Sequence, residues 1–184
     1  MVNVLTGNSE ELQEAFADGE LDFLLTLERP PTRHHPPGTR SRVVGSRPLV
    51  LLVRKDSGIS RADHFWSQKQ IAERLAAPRP DHPVVQALQT GLNQGGIAWP
   101  TQIVTDSLSN VLPFVAAGMG VGVTLDFPAN TQHSQVRVLP IQGFARVNIA
   151  CHWRTPETPQ IRTALRIATE QLKAAGKAGT TPPQ

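Results

Sequence analysis

The sequence predicts an α/β fold, and three observations carry that reading. Strand and helix signals alternate along the 184 residues instead of segregating into blocks. The first 27 residues compress an apolar stretch, an amphipathic helix and a second apolar stretch, the pattern of a βαβ unit with parallel pairing. Near the other end, Ile161, Leu165, Ala168 and Leu172 recur at helical spacing after Thr158-Pro159, a good N-cap and first-turn pair.

Each element follows in order. "VNVL" reads as a short strand and Gly7-Asn8-Ser9 as a turn. Ser9 suits an N-cap, because Glu10 and Glu11 then face the positive end of the helix dipole. Leu12, Ala15 and Phe16 make the apolar face, Gly19 ends the helix, and "LDFLLTL" (21–27) is a buried strand. The stretch "ERPPTRHHPPGTRSR" has four prolines and no periodicity, so it reads as an irregular connection. "PLVLLV" (48–53) is the third strand; residues 60–76 carry a weak helical pattern, and "AAPRPDHP" (76–83) a turn. Pro83 opens a helix through Val84, Val85, Leu88 and Leu92 that stops at Gly95-Gly96. "TQIVT" is a strand, and "DSLSNVLPFVAAG" a helix capped by Asp106 or Ser107, with Pro113 inside it or bending it. "VGVTL", "VRVLPI" and "RVNIACHW" are strands, the last helix ends at Gly176, and "GKAGTTPPQ" reads as a disordered tail.

Composition narrows the function. Apolar residues make up 39% and charged residues 18%, ordinary values for a globular protein. The net charge of +3 concentrates in Arg29 to Lys55, which reads as a solvated basic loop. That segment lacks any aromatic residue on which bases could stack. One cysteine, Cys151, excludes an intrachain disulfide and fits a reducing compartment, and it reads as a buried, inert thiol. No apolar run reaches the roughly 20 residues that span a bilayer, and no secretory leader pattern is visible, so the cytoplasm is the expected compartment. His34 and His35 are adjacent and lack metal-ligand spacing. No nucleophile elbow, zinc-protease, phosphate-loop or paired-cysteine motif occurs, which leaves no catalytic, metal or cofactor residue to assign.

The glycines of "GMGVG" (118–122) test the phosphate-binding alternative. A dinucleotide fingerprint runs strand, glycines, helix, so that the helix N-terminus faces phosphate. Here the order is helix, glycines, strand, and the helix end at Gly118 is the negative one. Gly118 therefore reads as a left-handed C-cap, with Gly120 and Gly122 allowing close backbone packing.

"SEELQEAFADGELDFLLT", "PLVLLVRKD" and "VTDSLSNVLPFVAAGMGVGVTL" occur in an order and spacing that resemble the effector-binding domain of LysR-type transcriptional regulators, over residues 2 to 175. The specific parts are "G-x-L-D" ahead of an apolar strand and "V-A-A-G-x-G-V". The chain departs from the family in having "KDSGIS" where His-Pro is frequent, and in that "VTLDF" has Asp126 where a proline usually follows the strand. The resemblance implies a two-lobed fold like the type II periplasmic binding proteins, with 1–56 and 137–176 in the first lobe, 57–136 in the second and 177–184 as the tail. It also implies that this chain lacks the family's winged helix-turn-helix and first regulatory strand, and that DNA is bound only through that missing domain. A homodimer or tetramer without membrane contact is the family habit. The rival readings are a free-standing solute-binding protein of the same fold and an unrecognised α/β enzyme.

The resemblance further implies which residues meet a small effector, a carboxylate-bearing metabolite by family habit. Gly7, Asn8 and Ser9 follow a strand and open a helix, where N–H groups favour an anion. Thr26 matches a cleft position at a strand end. Pro78, Arg79 and Pro80 form the second-lobe turn, and Ser107 and Leu108 follow the fourth strand. Because the basic segment offers no recognition helix, the 184-residue chain is expected to bind duplex DNA weakly and without sequence preference. Anisotropy with matched and scrambled duplexes at physiological salt checks this; a sequence-dependent nanomolar affinity would contradict it.

Overall fold

The computed structural model describes residues 3–28, 36–68 and 71–178. In chain order the elements are α1 (Ser9–Asp18), β1 (Phe23–Leu27), β2 (Thr39–Arg47), β3 (Leu49–Arg54), α2 (Asp63–Trp66), β4 (Leu75–Pro78), α3 (Pro83–Gln94), β5 (Thr101–Thr105), α4 (Val111–Ala116), β6 (Val121–Leu125), α5 (Pro128–Thr131), β7 (Val136–Pro140), β8 (Val147–Arg154) and α6 (Pro159–Ala178). The α/β class holds, with two sheets of order β1-β8-β2 and β5-β4-β6-β3-β7. The described residues of Met1–Ser46 and Asn148–Lys177 form one compact unit, and those of Arg47–Val147 a second. Strands β3 and β7, expected in the first lobe, belong to the second unit because both hydrogen-bond into its sheet.

In the first unit β8 is the central strand. Phe23, Leu25 and Leu27 of β1 register antiparallel with Trp153, Cys151 and Ile149. This differs from the expected parallel βαβ pairing: residues 3–8 form no strand, and Val4 and Leu5 are 79% and 51% exposed. The helix between them forms as expected and buries Phe16. Its C-terminus has no basic residue of its own in the last turn. Arg154 of β8 supplies one, donating from Nη2 to the Phe16 and Ala17 carbonyls while its guanidinium lies 5.4 Å from the Phe16 ring centre. Cys151 is fully buried, and burial pushes its thiol up to about 11 against the opposing field of Arg42, so it stays protonated at neutral pH.

Strand β2 lies where an irregular connection and a solvated basic loop were expected. Its sequence, TRSRVVGSR, carries little apolar signal, but it needs little. As an edge strand beside β8 it can leave Arg40, Ser41, Arg42 and Val43 exposed and bury Val44. Arg47 at its end is buried, lies 5.6 Å from the Phe127 ring centre, and is held below the usual guanidinium range by burial, with Asp126 opposing. His34, His35 and Arg33 lie outside the described residues.

In the second unit β4 runs parallel to β5 and β6, whereas β3 runs antiparallel to β6 and β7. Strand β4 was missed in the sequence because LAAP is short and ends in proline. Its central place between β5 and β6 overrides alanine's weak strand propensity, and all four residues are buried. Of the helix expected over 60–76, the described residues show only α2. Helix α3 starts at Pro83 and ends at Gly95, as expected, burying Val84, Val85, Leu88 and Leu92. Pro113 falls in the first turn of α4, where its missing N–H costs no helical bond, so it neither breaks nor kinks the helix. Helix α6 runs past Gly176 to Ala178, so Lys177 and Ala178 of the expected tail are helical, and 179–184 lie outside the described residues.

The glycine reading is met in detail. Gly118 has φ +77°, its N–H donates to the Val115 carbonyl and that of Met119 to the Phe114 carbonyl, the paired bonds of a Schellman cap. A Cβ on Gly120 would stand 2.3 Å from the Arg74 carbonyl oxygen, and one on Gly122 would stand 2.5 Å and 2.7 Å from methyls of Val111 and Val115. Gly120→Ala is therefore expected to lower stability by about 1–3 kcal/mol, since the obstacle is backbone and cannot rotate away. Urea unfolding should show a lower midpoint with an unchanged slope; an unshifted midpoint would show that the backbones can separate at no cost.

Candidate functional site

The nine residues expected to meet a ligand divide between the two units. Gly7, Asn8, Ser9 and Thr26 fall in the first, and Pro78, Arg79, Pro80, Ser107 and Leu108 in the second. Asn8, not Ser9, is the N-cap of α1: its backbone is extended, and its side-chain oxygen accepts from the N–H groups of Glu10 and Glu11, both at 3.0 Å. The Asn8 carbonyl also accepts from Leu12, at 3.1 Å. Asn8 wins because its carbonyl arm reaches both donors, leaving Ser9 as the first helical residue with its hydroxyl unpartnered among the described residues. Two of the first-turn donors are thus already consumed, and Glu10 and Glu11 add negative charge there. Thr26 sits half-buried in β1, and its hydroxyl makes only a long 3.5 Å contact to the Leu27 carbonyl.

The second-unit residues are brought together by sheet register. Pro78 of β4 is aligned with Thr105 of the parallel strand β5, so the loops after both strands leave the sheet side by side at its carboxyl edge. One loop carries Arg79 and Pro80 and leads into α3. Arg79 is more than half exposed, and its Nε lies 3.8 Å from the Asp81 carboxylate, a solvent-screened pair worth little to stability. The other loop is tied by Thr105 Oγ1 donating to the Ser107 carbonyl at 2.9 Å, with the Ser107 and Ser109 hydroxyls 2.9 Å apart. Ligands of open α/β sheets bind outside the carboxyl ends of parallel strands, and a helix N-terminus there favours an anion.

His82 stands at this edge too, beside the nine residues expected to meet a ligand. It is the N-cap of α3, with Nδ1 accepting from the Val84 N–H at 3.3 Å. Its place immediately before Pro83 was the available signal. An open depression of about 350 Å³, lined by Ser60, Arg61, Asp63 and His64 among others, lies elsewhere in the second unit and includes none of the expected residues. Arg61 and Asp63 there neutralise each other at 2.6 Å. Among the described residues no cluster of three or more His, Cys, Asp or Glu could hold a metal, and no helix is long and apolar enough to cross a membrane.

The profile described as the LysR substrate binding domain matches residues 1–173. The chain belongs to that family. Solved structures agree at the level of fold. Relative to the cofactor-binding domain of the Cbl transcriptional regulator, the TM-score is 0.72 at 15% identity, covering 92% of this chain and 77% of that one. The regulatory domain of Synechocystis PCC6803 CcmR, in complex with 2-PG, gives 0.66 at 16% identity over 90% of this chain and 80% of that one. HinK, a LysR family transcriptional regulator from Pseudomonas aeruginosa, gives 0.67 at 13% identity over 90% of this chain, which spans 59% of HinK. No match is found among curated proteins.

The corrected cap makes a distinction that thermal unfolding can check. Asn8→Ala should cost about 1 kcal/mol, the usual value of an N-cap side chain. Ser9→Ala should be close to neutral, since alanine is a better helix former at an interior position. Equal losses in the two variants would return the cap to Ser9.

Proposed function

We propose that this chain is the effector-sensing part of a LysR-type transcriptional regulator and that its effector is a small anionic metabolite, most simply a carboxylate. The observation that carries the reading is the Pro78–Thr105 alignment, which sets Arg79, Ser107 and Ser109 on neighbouring loops at the carboxyl edge of two parallel strands. Arg79 supplies a cation in fork geometry, the serines supply hydroxyl donors, and α3 adds the positive end of its dipole. Pro78, Pro80 and Leu108 shape the same loops. Gly7, Asn8, Ser9 and Thr26 are proposed contacts from the first unit, with Ser9 contributing its hydroxyl, since Asn8 already holds the neighbouring N–H groups. That a domain of this fold is solved with 2-PG supports a ligand-holding role. In this reading DNA is contacted by a separate winged helix-turn-helix domain, and the regulator works in the cytoplasm as a homo-oligomer.

Calorimetric titration of small mono- and dicarboxylates, beside their neutral amides, tests the reading. Acids should bind and amides should not, and Arg79→Ala and Ser107→Ala should each weaken binding by about 1.5–3 kcal/mol, the range of a hydrogen bond to a charged group. Amides that bind as well as acids would remove the anionic reading. Variants that retain the parent's affinity would remove the site.

A further inference from the structure

Sheet order gathers a row of side chains at the edge of the second unit opposite Pro78 and Thr105. Strand β3 runs antiparallel to β6 and β6 runs parallel to β4, so the end of β3 lies with the starts of β6 and β4. Across that edge, in the order β4-β6-β3, stand Arg74, the Gly118-Met119-Gly120 turn, and Arg54 with Lys55. The turn touches both neighbours. A Cβ on Gly118 would stand 2.9 Å from Arg54 Nη1, and one on Gly120 would stand 3.2 Å from the Arg74 Cβ.

Met119 supplies the turn's one side chain, and it is 46% exposed. Its backbone is fixed on both sides. The Met119 N–H donates to the Phe114 carbonyl at 3.1 Å, and the Val121 N–H to the Arg74 carbonyl at 2.8 Å. A side chain presented on so rigid a turn loses little backbone freedom when a partner covers it. Methionine adapts to varied apolar surfaces, and Met and Arg are both enriched at protein interfaces.

The charge around Met119 is unbalanced. Arg54 is matched by Asp56, its Nε donating to Oδ1 at 2.7 Å. Arg74 and Lys55 are exposed, and among the described residues neither side chain has a hydrogen bond or an ion pair. Glu73 does not offset Arg74, because one of its oxygens lies 3.9 Å from His64 Nε2 and the other is buried.

We infer that this edge docks an acidic segment of another protein, with an apolar side chain seated on Met119 and carboxylates reaching Arg74 and Lys55. A second copy of this chain is a poor occupant, since it would bring the same cations to face these. Nucleic acid asks for a longer track of cations or for stacking rings, and Met119 is neither. The patch is small, so the contact is weak and screened by salt. It lies at the opposite end of β4 from Arg79 and does not rest on the carboxylate reading of that site.

Two labelled peptides serve as probes, one with glutamates around a central leucine and one with glutamines in their place. Anisotropy with the full chain at low salt should show the glutamate peptide binding at least about tenfold tighter, as expected of several charge contacts. Amide shifts on binding should gather at Arg54, Lys55, Arg74 and Met119. Arg74→Glu and Lys55→Glu should each weaken binding by about tenfold, because reversal removes an attraction and adds a repulsion. Met119→Ser should weaken it by about fivefold through lost apolar burial, with unchanged circular dichroism in all three variants. Arg40→Glu, at an equally exposed position on β2, should leave binding as it is. The proposal is overturned if the glutamine peptide binds as tightly or if Arg74→Glu binds like the parent. It is also overturned if Arg40→Glu weakens binding as much, or if duplex DNA moves the same amides at lower concentration than the glutamate peptide.

Discussion

The second unit depends on how closely β6 can be approached. Gly122 is registered with Leu52 of β3 on one side and Ala76 of β4 on the other, so it sits where antiparallel pairing gives way to parallel. Helix α4 packs against that point with Val111 and Val115, at distances a side chain would forbid. The buried cluster of Leu52, Ala76, Val111, Val115 and Val136 closes around it. Gly120, two residues earlier, lets the chain pass against the Arg74 carbonyl, and the Val121 N–H donates to that same oxygen at 2.8 Å. Losing either close approach would shift β6, and with it both halves of the sheet. The positions of β4 and β5, and the loops at their carboxyl ends, are consequences of this contact.

This constraint was legible in the sequence because the order of elements around the glycines excluded a phosphate loop. Helices with strong caps were legible for the same kind of reason: Pro83 and Gly95, or Thr158 and Pro159, state their own boundaries. What was not legible depended on neighbours distant in sequence. Leu75-Ala76-Ala77-Pro78 becomes a strand only because β5 and β6 flank it, and Thr39–Arg47 only because β8 offers an edge. Asn3, Val4 and Leu5 show the converse, strand-like residues that form no strand. The Asn8 and Ser9 assignment was decided by side-chain reach, a distance no spacing rule contains.

The candidate ligand residues differ in what they can still offer. At α1 the Asn8 side chain holds two amide donors, and two glutamates oppose an incoming anion. At α3 Pro83 has no N–H to give and His82 Nδ1 engages that of Val84, so the dipole and Arg79, rather than a nest of free amides, carry the attraction. Anion selectivity is therefore argued better from the second unit. Loop residues held at the end of a rigid sheet suit this task, because the sheet fixes their spacing while the loops remain free to take up a ligand.

The first unit's sheet poses a different problem, since among the described residues β8 has only β1 on one side and β2 on the other. The Arg40 and Arg42 edge is protected by charge at no cost to the core, for only Val44 of that stretch needs burial. At β1 such a substitution would be tolerated at one position alone. Leu24 is buried on one face, and Phe23 and Leu27 are half-buried on the other, beside Trp153 and Ile149. A charge at 23, 24 or 27 would desolvate against the core, whereas Leu25 alone stands far enough out to tolerate one. The apolar packing that orders β1 against β8 thus leaves Leu25 as the position of the strand exposed enough to carry a charge.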